Sequence, residues 1–325
     1  MKKIWYKSTA GVRTRRVRDM TDTNAMHSYQ FSRFRVRSSI KIPEMTNVEG
    51  SYSSDDADIV ITDDDLLNNS SVPDTGVEVF HTDRTLLLAY AGVGVFRIEH
   101  GSRVEIEPLS GVTERTLRRY IVGPVLGILL AQRGYLVQHA STIEMAQGAV
   151  SFIGAEGQGK STLAAMGLVK GHSLVCDDVT AIEIEKDGVN ILPGLPLIKL
   201  DSAVMESIDG SFDRYPPVSG GKTHYDVSSN IVTASSRLKR IYLLDRGKSI
   251  KFEPLSPSEA LTTMVGNTYT KPLLEDETNL AANFQQCSTT ADLVPVTRLT
   301  RPKKFTSVSK VIDRIELDLQ LNQRL

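Results

Sequence analysis

Short alternations of apolar and polar residues fill the chain between residues 29 and 112. Successive side chains of a β-strand point to opposite faces, so alternation of this kind is typical of half-buried strands. Polar and acidic breaks separate the apolar runs and favour turns between short strands. The predicted strands are Phe34–Arg37, Ala57–Ile61, Val77–Phe80, Leu86–Tyr90, Val93–Ile98 and Val104–Ile106. The pattern therefore predicts a β-rich N-terminal region over residues 29–112.

The pattern changes to helical spacing at Thr116, and Gly134 stands where a C-terminal glycine cap belongs. Beyond this helix, apolar runs alternate with helical segments, which is typical of an α/β core. The predicted strands are 135–141, 142–145, 149–153, 173–176, 180–184, 189–192 and 238–244, and the predicted helices are 116–133, a helix starting at 161, 256–265, 273–285 and 306–319. Residues 201–236 are polar and rich in glycine, serine and aromatic residues, which predicts a functional surface loop. We assign residues 113–325 to the core with its closing C-terminal helices.

The composition narrows the classes of function. The 325 residues carry a formal net charge of −1, so we expect no nucleic-acid partner. No apolar run is long enough for a membrane span, and the N-terminus does not resemble a secretory signal. Two cysteines indicate neither a disulfide framework nor a metal cluster, and a reducing cytoplasm is the expected compartment. Basic residues are concentrated in residues 1–28, which we interpret as a flexible arm.

One segment carries a motif with a defined chemistry. Residues 154–161 match G-x-x-x-x-G-K-[ST], with an apolar run before them and a helical pattern after them. Glycines let such a loop wrap around a polyphosphate, with backbone N–H groups and a helix N-terminus directed at the anion. Lys160 would reach the outer phosphates, and the Ser161 hydroxyl would complete a Mg²⁺ shell. The predicted nucleotide-binding residues are Gly154, Glu156, Gly157, Gln158, Gly159, Lys160, Ser161 and Thr162.

Three polar residues accompany the phosphate loop. Asp177 and Asp178 follow the apolar run 173–176, so we place them at the end of a strand. Two carboxylates beside a phosphate loop can divide two tasks, since one can hold Mg²⁺ and the other can accept a proton from an incoming hydroxyl. His139 is placed at the end of another predicted strand, and by itself a lone histidine is more often structural than catalytic.

Together these residues resemble a known family. The stretch from His139 to Glu183 is similar to the catalytic core of the bacterial HPr kinase/phosphorylase family, and its most specific part is Gly171-His172-Ser173-Leu174-Val175-Cys176-Asp177-Asp178. The resemblance implies a core like that of HPr kinases and phosphoenolpyruvate carboxykinases. It also implies serine kinase chemistry with ATP and Mg²⁺, and a place for His139 near the aspartates. We assign Asp177 as the base, steered by His139, and Asp178 with Ser161 to the metal; the sequence leaves the reverse division of roles between the two aspartates open.

The chain also departs from that family. A glutamate–arginine–glycine signature is missing, and residues 192–200, LPGLPLIKL, stand in its place. Glu156 replaces a loop serine and brings a carboxylate toward the phosphates, where like charge would weaken binding unless the side chain turns outward or finds a cation. Residues 29–325 are more similar to a divergent branch encoded beside lasso-peptide maturation genes, through the runs YQFSRFRVRSSIKIPEM, DADIVIT, PGLPLIKL and SRLKRIYLLDRG.

Similarity to this branch implies phosphorylation of a serine in a precursor peptide. Two alternatives stay open, namely a true HPr kinase/phosphorylase and a catalytically inactive nucleotide-binding partner of a peptide-maturation complex. A homo-oligomer also stays open. Lys222 and Arg240 are weaker candidates for contacts to phosphate or peptide, since surface solubility explains them equally well.

Overall fold

The structure, a computed structural model, describes residues 26–50, 52–64, 66, 72–82, 84–208, 212–214 and 223–322. Within these ranges, the N-terminal region forms one sheet of eight strands in the order β3-β1-β2-β4-β8-β7-β6-β5. Its strands are β1 (His27–Phe31), β2 (Phe34–Ser38), β3 (Thr46–Asn47), β4 (Ile59–Asp63), β5 (Val77–Thr82), β6 (Thr85–Tyr90), β7 (Gly94–Glu99) and β8 (Arg103–Pro108). The β-rich character of residues 29–112 is confirmed. The predicted basic arm lies almost wholly outside the described residues, and its boundary and the one after residue 112 stay predictions.

A second sheet forms the core of the described chain, in the order β10-β9-β11-β12-β16-β18-β17. Its strands are β9 (Leu136–Met145), β10 (Gly148–Ile153), β11 (Ser173–Glu185), β12 (Gly188–Ile191), β16 (Ser236–Arg246), β17 (Lys251–Pro254) and β18 (Val296–Arg301). Strand β16 pairs in parallel with both β10 and β18. The C-terminal ends of these parallel strands therefore meet at the same edge of the sheet.

Helices cover the second sheet and end the described chain. They are α1 (Glu114–Tyr120), α2 (Leu126–Gln132), α3 (Lys160–Val169), α4 (Ser202–Ser207), α5 (Pro257–Gly266), α6 (Glu277–Leu293) and α7 (Val308–Asn322). The start of α5 is readable from the sequence, because Ser256 and Glu259 form a capping box around Pro257. None of the helices in the described ranges is long and apolar enough to cross a membrane.

Several predicted elements have different limits in the structure. The single helix expected over 116–133 is divided by a π-helical turn, Ile121–Val125, which contains Pro124. Proline has no N–H to donate, so the regular hydrogen-bond ladder cannot continue through it. The helix expected over 273–285 begins later, at Glu277, where the Asp276 side chain accepts a hydrogen bond from the Asn279 N–H. Strands β17 and β18 were not predicted at all.

Two further expectations are wrong for a reason that matters to the site. Residues 136–145 form one strand where two were expected, and residues 173–185 form one strand that runs through Asp177 and Asp178. Strand β9 lies between β10 and β11, and its pairing with both neighbours supports an extended backbone past the polar residues. His139 and the aspartates therefore lie inside long strands and not at strand ends.

The polar stretch 201–236 is only partly a loop. It contributes helix α4 and the strands β14 (Asp213–Arg214) and β15 (Thr223–Asp226), and β15 pairs with β13 (Leu197–Leu200) in a small sheet. Ile208, Tyr225 and Val227 are buried in the same apolar cluster as α3 and α7. A few apolar side chains thus attach this polar segment to the core.

Apolar packing joins the two large sheets. One cluster contains side chains from the N-terminal sheet, from α1 and α2, and from the second sheet, including Phe96, Leu117, Leu129, Val137 and Val179. A second cluster packs α3 and α7 against β10 and β16, with Phe152 and Tyr242 fully buried and their rings stacked. The strand that leads into the phosphate loop is therefore held in a well-packed core.

Arg240 belongs to this core and has a structural contact. Its Nη1 lies 3.1 Å from Asp318 Oδ2 on α7, and the Tyr242 hydroxyl donates to the same oxygen. Burial and the Asp318 carboxylate raise the pKa of Tyr242, so the phenol stays protonated as a donor. This ion pair gives Arg240 a role in attaching α7 to the sheet.

We expect Arg240→Ala to lower the free energy of unfolding without weakening ATP binding. Breaking a buried ion pair costs about 3–5 kcal/mol, and the partial exposure of this pair reduces the expected loss to about 2 kcal/mol. Urea unfolding and calorimetric titration with ATP would measure the two quantities. Lys239→Ala, at the exposed neighbouring position, is the control. A large loss of ATP affinity in a stably folded Arg240→Ala variant would contradict the structural role.

Candidate active site

The predicted phosphate loop connects β10 to α3, as the sequence motif requires. Gly157 and Gly159 have φ values of 74° and 86°, in the left-handed region that favours glycine. Gly159 is the N-cap of α3, and Lys160 is the first residue of that helix. The Lys160 side chain is buried and its Nζ donates to the Gly154 carbonyl at 2.7 Å. The strand–loop–helix prediction is confirmed, and the lysine lies against the inside of the loop.

The register of β9 places the aspartates next to this loop. Ser141 on β9 pairs with Phe152 of β10 on one side and with Asp177 of β11 on the other. Phe152 stands two residues before Gly154, where the loop begins. Asp177 is therefore two strands away from the start of the loop, at the same level of the sheet.

Asp177 is held by hydrogen bonds from several elements. One carboxylate oxygen accepts a hydrogen bond from Ser141 Oγ at 2.5 Å, and the other accepts one from the Lys199 N–H at 2.9 Å. The Ser161 hydroxyl lies near this carboxylate and acts to lower its pKa. Burial raises the pKa of Asp177, although the hydrogen bonds from Ser141 and Lys199 act in the opposite direction. The residue predicted to share the metal site with Ser161 was Asp178, but the carboxylate whose pKa Ser161 affects is that of Asp177.

Asp178 faces the cavity from a strained backbone. Its φ of 72° is in the left-handed region, which a non-glycine residue rarely adopts inside a strand. Lys199 Nζ lies 2.5 Å from Asp178 Oδ2, and His139 Nε2 lies 3.7 Å from Oδ1. Burial acts to raise the pKa of Asp178, but the Lys199 ammonium, with smaller effects from His139 and Lys160, lowers it below its ordinary value. Asp178 is thus the carboxylate that His139 faces, whereas His139 was expected to steer Asp177.

A short segment after α5 positions both His139 and the loop. The Asn267 side-chain oxygen accepts a hydrogen bond from the Gly154 N–H at 3.0 Å, and its backbone carbonyl accepts one from the His139 N–H at 2.9 Å. The Tyr269 ring stacks on the His139 ring, with their centroids 5.8 Å apart. This segment therefore connects the strand of His139 to the first glycine of the loop.

Two arginines at the loop were missed in the sequence. Arg246 ends β16 and donates to the Gly157 carbonyl, and Arg301 ends β18 and donates to the Gln158 carbonyl, both at 2.6 Å. Arg301 is buried, and its pKa is lowered by burial and by the nearby charge of Arg246. Because β16 and β18 run parallel to β10, their last residues come to the edge where the loop begins. The available signal was a basic residue at the end of a parallel strand, but the parallel pairing could not be read from the sequence and β18 was not predicted.

These residues surround a cavity of about 660 Å³. Among the described residues that line the cavity, basic side chains outnumber acidic ones. The basic residues are Arg119, Lys160, Lys199, Arg246, Arg301 and Lys303. The acidic residues are Glu156, Asp177, Asp178 and Asp201. His224 also lines the cavity, and burial, followed by the charge of Lys199, lowers its pKa to about 4, so it is neutral at neutral pH. An excess of cations around a glycine-rich loop suits a polyanionic ligand.

The other predicted site residues have varied positions. Gln158, Ser161 and Thr162 line the cavity, and Glu156 lies exposed at its rim. His172, part of the most specific sequence motif, lies 2.7 Å from Glu316 on α7 and contributes to packing of that helix. Arg240 is held by Asp318 and does not line the cavity, so its assignment as a phosphate or peptide contact is not supported. Lys222 lies outside the described residues.

Comparison with known proteins gives matches among solved structures only. No protein-family model matches the chain. No curated protein matches it either. Among solved structures, the HPr(Ser) kinase/phosphatase from Coxiella burnetii is 13% identical, and the match covers 57% of this chain and 98% of that chain with a TM-score of 0.30. Similarity at this level carries no functional assignment, so what the site can do follows from its own contacts.

The donors of the site fit a nucleotide-bound Mg²⁺ better than a metal held by protein alone. No group of three or more His, Cys, Asp or Glu side chains among the described residues could hold a metal ion. The Ser161 hydroxyl and the Asp177 carboxylate both line the cavity and both offer oxygen ligands, which Mg²⁺ prefers. Since Mg²⁺ usually takes one or two protein ligands together with phosphate oxygens and water, these residues would hold it beside a polyphosphate.

Two loop glycines offer a matched test of the arginine contact. A Cβ on Gly159 would come within 2.3 Å of Arg301 Nη2, whereas a Cβ on Gly157 would meet nothing within 4 Å. Both alanine variants pay the left-handed backbone strain, about 1–2 kcal/mol. We expect Gly159→Ala to weaken ATP binding about tenfold more than Gly157→Ala does, because it also displaces a charged hydrogen-bond donor from the loop. Calorimetric titration would measure both affinities, and equal losses would show that the Arg301 contact does not matter for binding.

Proposed function

We propose that this protein is an ATP-dependent phosphotransferase that moves the γ-phosphoryl group to a hydroxyl acceptor. The observation that carries the proposal is the cation-lined cavity in which the phosphate loop faces a pair of aspartates, one near Ser161 and the other facing His139. A nucleotide-binding loop alone would suit many proteins. A carboxylate opposite that loop is what phosphoryl transfer to a hydroxyl needs in addition.

The contacts support a division of labour opposite to the one expected from the sequence. Asp177 is buried, both of its oxygens accept hydrogen bonds, and it lies near Ser161, so we assign it to the metal side of the site. Asp178 has a side chain that is 20% exposed and faces the cavity, so we assign it as the group that receives the acceptor's proton. His139, 3.7 Å from Asp178, would position that carboxylate.

In the proposed transfer, one bond to the γ-phosphorus forms as another breaks. The acceptor hydroxyl gives its proton to the Asp178 carboxylate while its oxygen bonds to the γ-phosphorus, and the bond from that phosphorus to the bridging oxygen breaks to leave ADP. Lys160 and the loop N–H groups hold the phosphate oxygens and neutralise charge that develops on them. Mg²⁺, when bound with the nucleotide, neutralises further charge on the β- and γ-phosphates.

The finer parts of the proposal rest on the family resemblance. We propose a serine hydroxyl as the acceptor, in a precursor peptide, and a cytoplasmic location. A true HPr kinase/phosphorylase and an inactive nucleotide-binding partner are the competing functions. Phosphorolysis of a phosphoseryl product by inorganic phosphate would distinguish the first of these from a one-way kinase.

Substitution of each aspartate by the near-isosteric asparagine tests the assignment. We expect Asp178→Asn to lower kcat by about 10²-fold or more with Mg·ATP affinity within about threefold of wild type, since a base acts in the transition state. We expect Asp177→Asn to weaken Mg·ATP binding about tenfold or more as well, because a metal ligand also acts in the ground state. Calorimetry would give the affinities and mass spectrometry of a seryl peptide the turnover.

Asp313→Asn is the control, since Asp313 lies on α7 and pairs with Lys170, away from the cavity. If the two variants show the opposite behaviour, the roles of Asp177 and Asp178 are exchanged and the kinase proposal stands. A wild-type protein that binds Mg·ATP but phosphorylates no seryl peptide, no HPr and no small hydroxylated acceptor would refute the kinase and leave the nucleotide-binding partner.

A further inference from the structure

Lys199 contacts both members of the aspartate pair. Its backbone N–H donates to Asp177 Oδ2 at 2.9 Å, and its side-chain Nζ lies 2.5 Å from Asp178 Oδ2. It stands on β13, in the segment that replaces the family's missing glutamate–arginine–glycine signature. The side chain is 22% exposed and lines the cavity, so its ammonium is held between the protein and the ligand space.

The contact between Lys199 and Asp178 changes the affinity of the aspartate pair for a metal ion. Two neighbouring carboxylates usually attract a divalent cation, since their charges repel each other and need compensation. Here an ammonium already compensates Asp178, and Lys160 adds to the same field. A free divalent cation entering the cavity would therefore have to displace one cation and approach others.

The electrostatic balance is different for a metal ion that is already bound to a nucleotide. The complex of Mg²⁺ with ATP carries a net negative charge, so the basic residues of the cavity attract it. Phosphate oxygens can also accept hydrogen bonds from the Lys199 ammonium, and these bonds replace its contact with Asp178. The same charge thus opposes the free ion and favours the complex.

We propose that Lys199 is a specificity-determining residue for metal loading, whose ammonium occupies the place beside Asp178 that a free divalent cation would take. The metal then enters the site together with the polyphosphate and not before it. This inference rests on the proposed function, because it takes Mg·ATP as the ligand, but it concerns a step that can be measured without phosphoryl transfer.

Titration of the nucleotide-free protein with Mn²⁺, followed by the loss of the free-ion electron paramagnetic resonance signal, measures that step. We expect Lys199→Met to bind free Mn²⁺ at least tenfold more tightly than wild type, a gain of about 1.4 kcal/mol. Methionine has similar length and no charge, and the backbone N–H to Asp177 is kept. Lys199→Arg, which keeps the charge, is expected to bind Mn²⁺ like wild type. Lys199→Gln is measured in parallel in case the methionine variant does not fold.

Matched variants locate the effect. Lys303→Met removes an exposed lysine from the rim of the same cavity and is expected to leave Mn²⁺ affinity within about twofold of wild type, because the charge it removes is screened by solvent. Adding Asp178→Asn to Lys199→Met is expected to abolish the gain, since the new site needs that carboxylate.

The outcomes separate this inference from the proposed function. Unchanged Mn²⁺ affinity in both Lys199→Met and Lys199→Gln would overturn the inference, even if the wild-type protein binds Mn·ATP and phosphorylates a peptide. An equal gain of Mn²⁺ affinity in Lys303→Met would also overturn the inference, because the loss of any positive charge from the cavity, and not the position of Lys199, would then be responsible. A tenfold gain in a protein that transfers no phosphate would support the counter-ion role of Lys199 and remove the kinase.

Discussion

The pairing of β9 with both β10 and β11 is the constraint on which the candidate site depends. Ser141 lies opposite Phe152 on one side and opposite Asp177 on the other, so the backbone hydrogen bonds of the sheet set the spacing between the phosphate loop and the aspartates. A shift of one residue would turn every side chain of β9 to the other face of the sheet. His139 and Ser141 would then leave the cavity together. Both faces of β9 and β10 are buried, so such a shift would force their side chains into the packing of the opposite face, and the close packing there opposes it.

Charge compensation is the second organising feature of the site. Arginines from β16 and β18 hold two carbonyls of the loop, Lys160 holds a third, and Lys199 pairs with Asp178. Each of these cations is therefore paired with a protein oxygen before a ligand enters the cavity. A polyphosphate can replace these partners with stronger charge-assisted hydrogen bonds, so the cost of burying the cations is offset on ligand binding.

The strained backbone of Asp178 fits the same picture. Neighbouring side chains in a regular strand point to opposite faces, and the left-handed φ of Asp178 breaks that alternation inside β11. Both carboxylates can then contact Lys199. The Asp177 carboxylate accepts a hydrogen bond from the Lys199 backbone N–H, and the Asp178 carboxylate accepts one from the Lys199 ammonium. Strain of this kind persists where surrounding contacts hold it, and here the long pairing of β11 with β9 supplies those contacts.

Local signals in the sequence were sufficient for most of the elements and for the phosphate loop. Alternating apolar residues predicted the N-terminal strands, and the spacing of glycines before Lys160 predicted a loop between a buried strand and a helix, because these features depend on residues close together in the chain. Polar residues misled the prediction at His139 and Asp177, since pairing with neighbouring strands keeps the backbone extended where the local pattern suggests an end. The contacts of Arg246, Arg301, Lys199 and Asn267 with the loop and the aspartates join residues separated by 21 to 143 positions. Only the tertiary structure decides such contacts, because strand order and register bring these residues together and neither leaves a pattern in the local sequence.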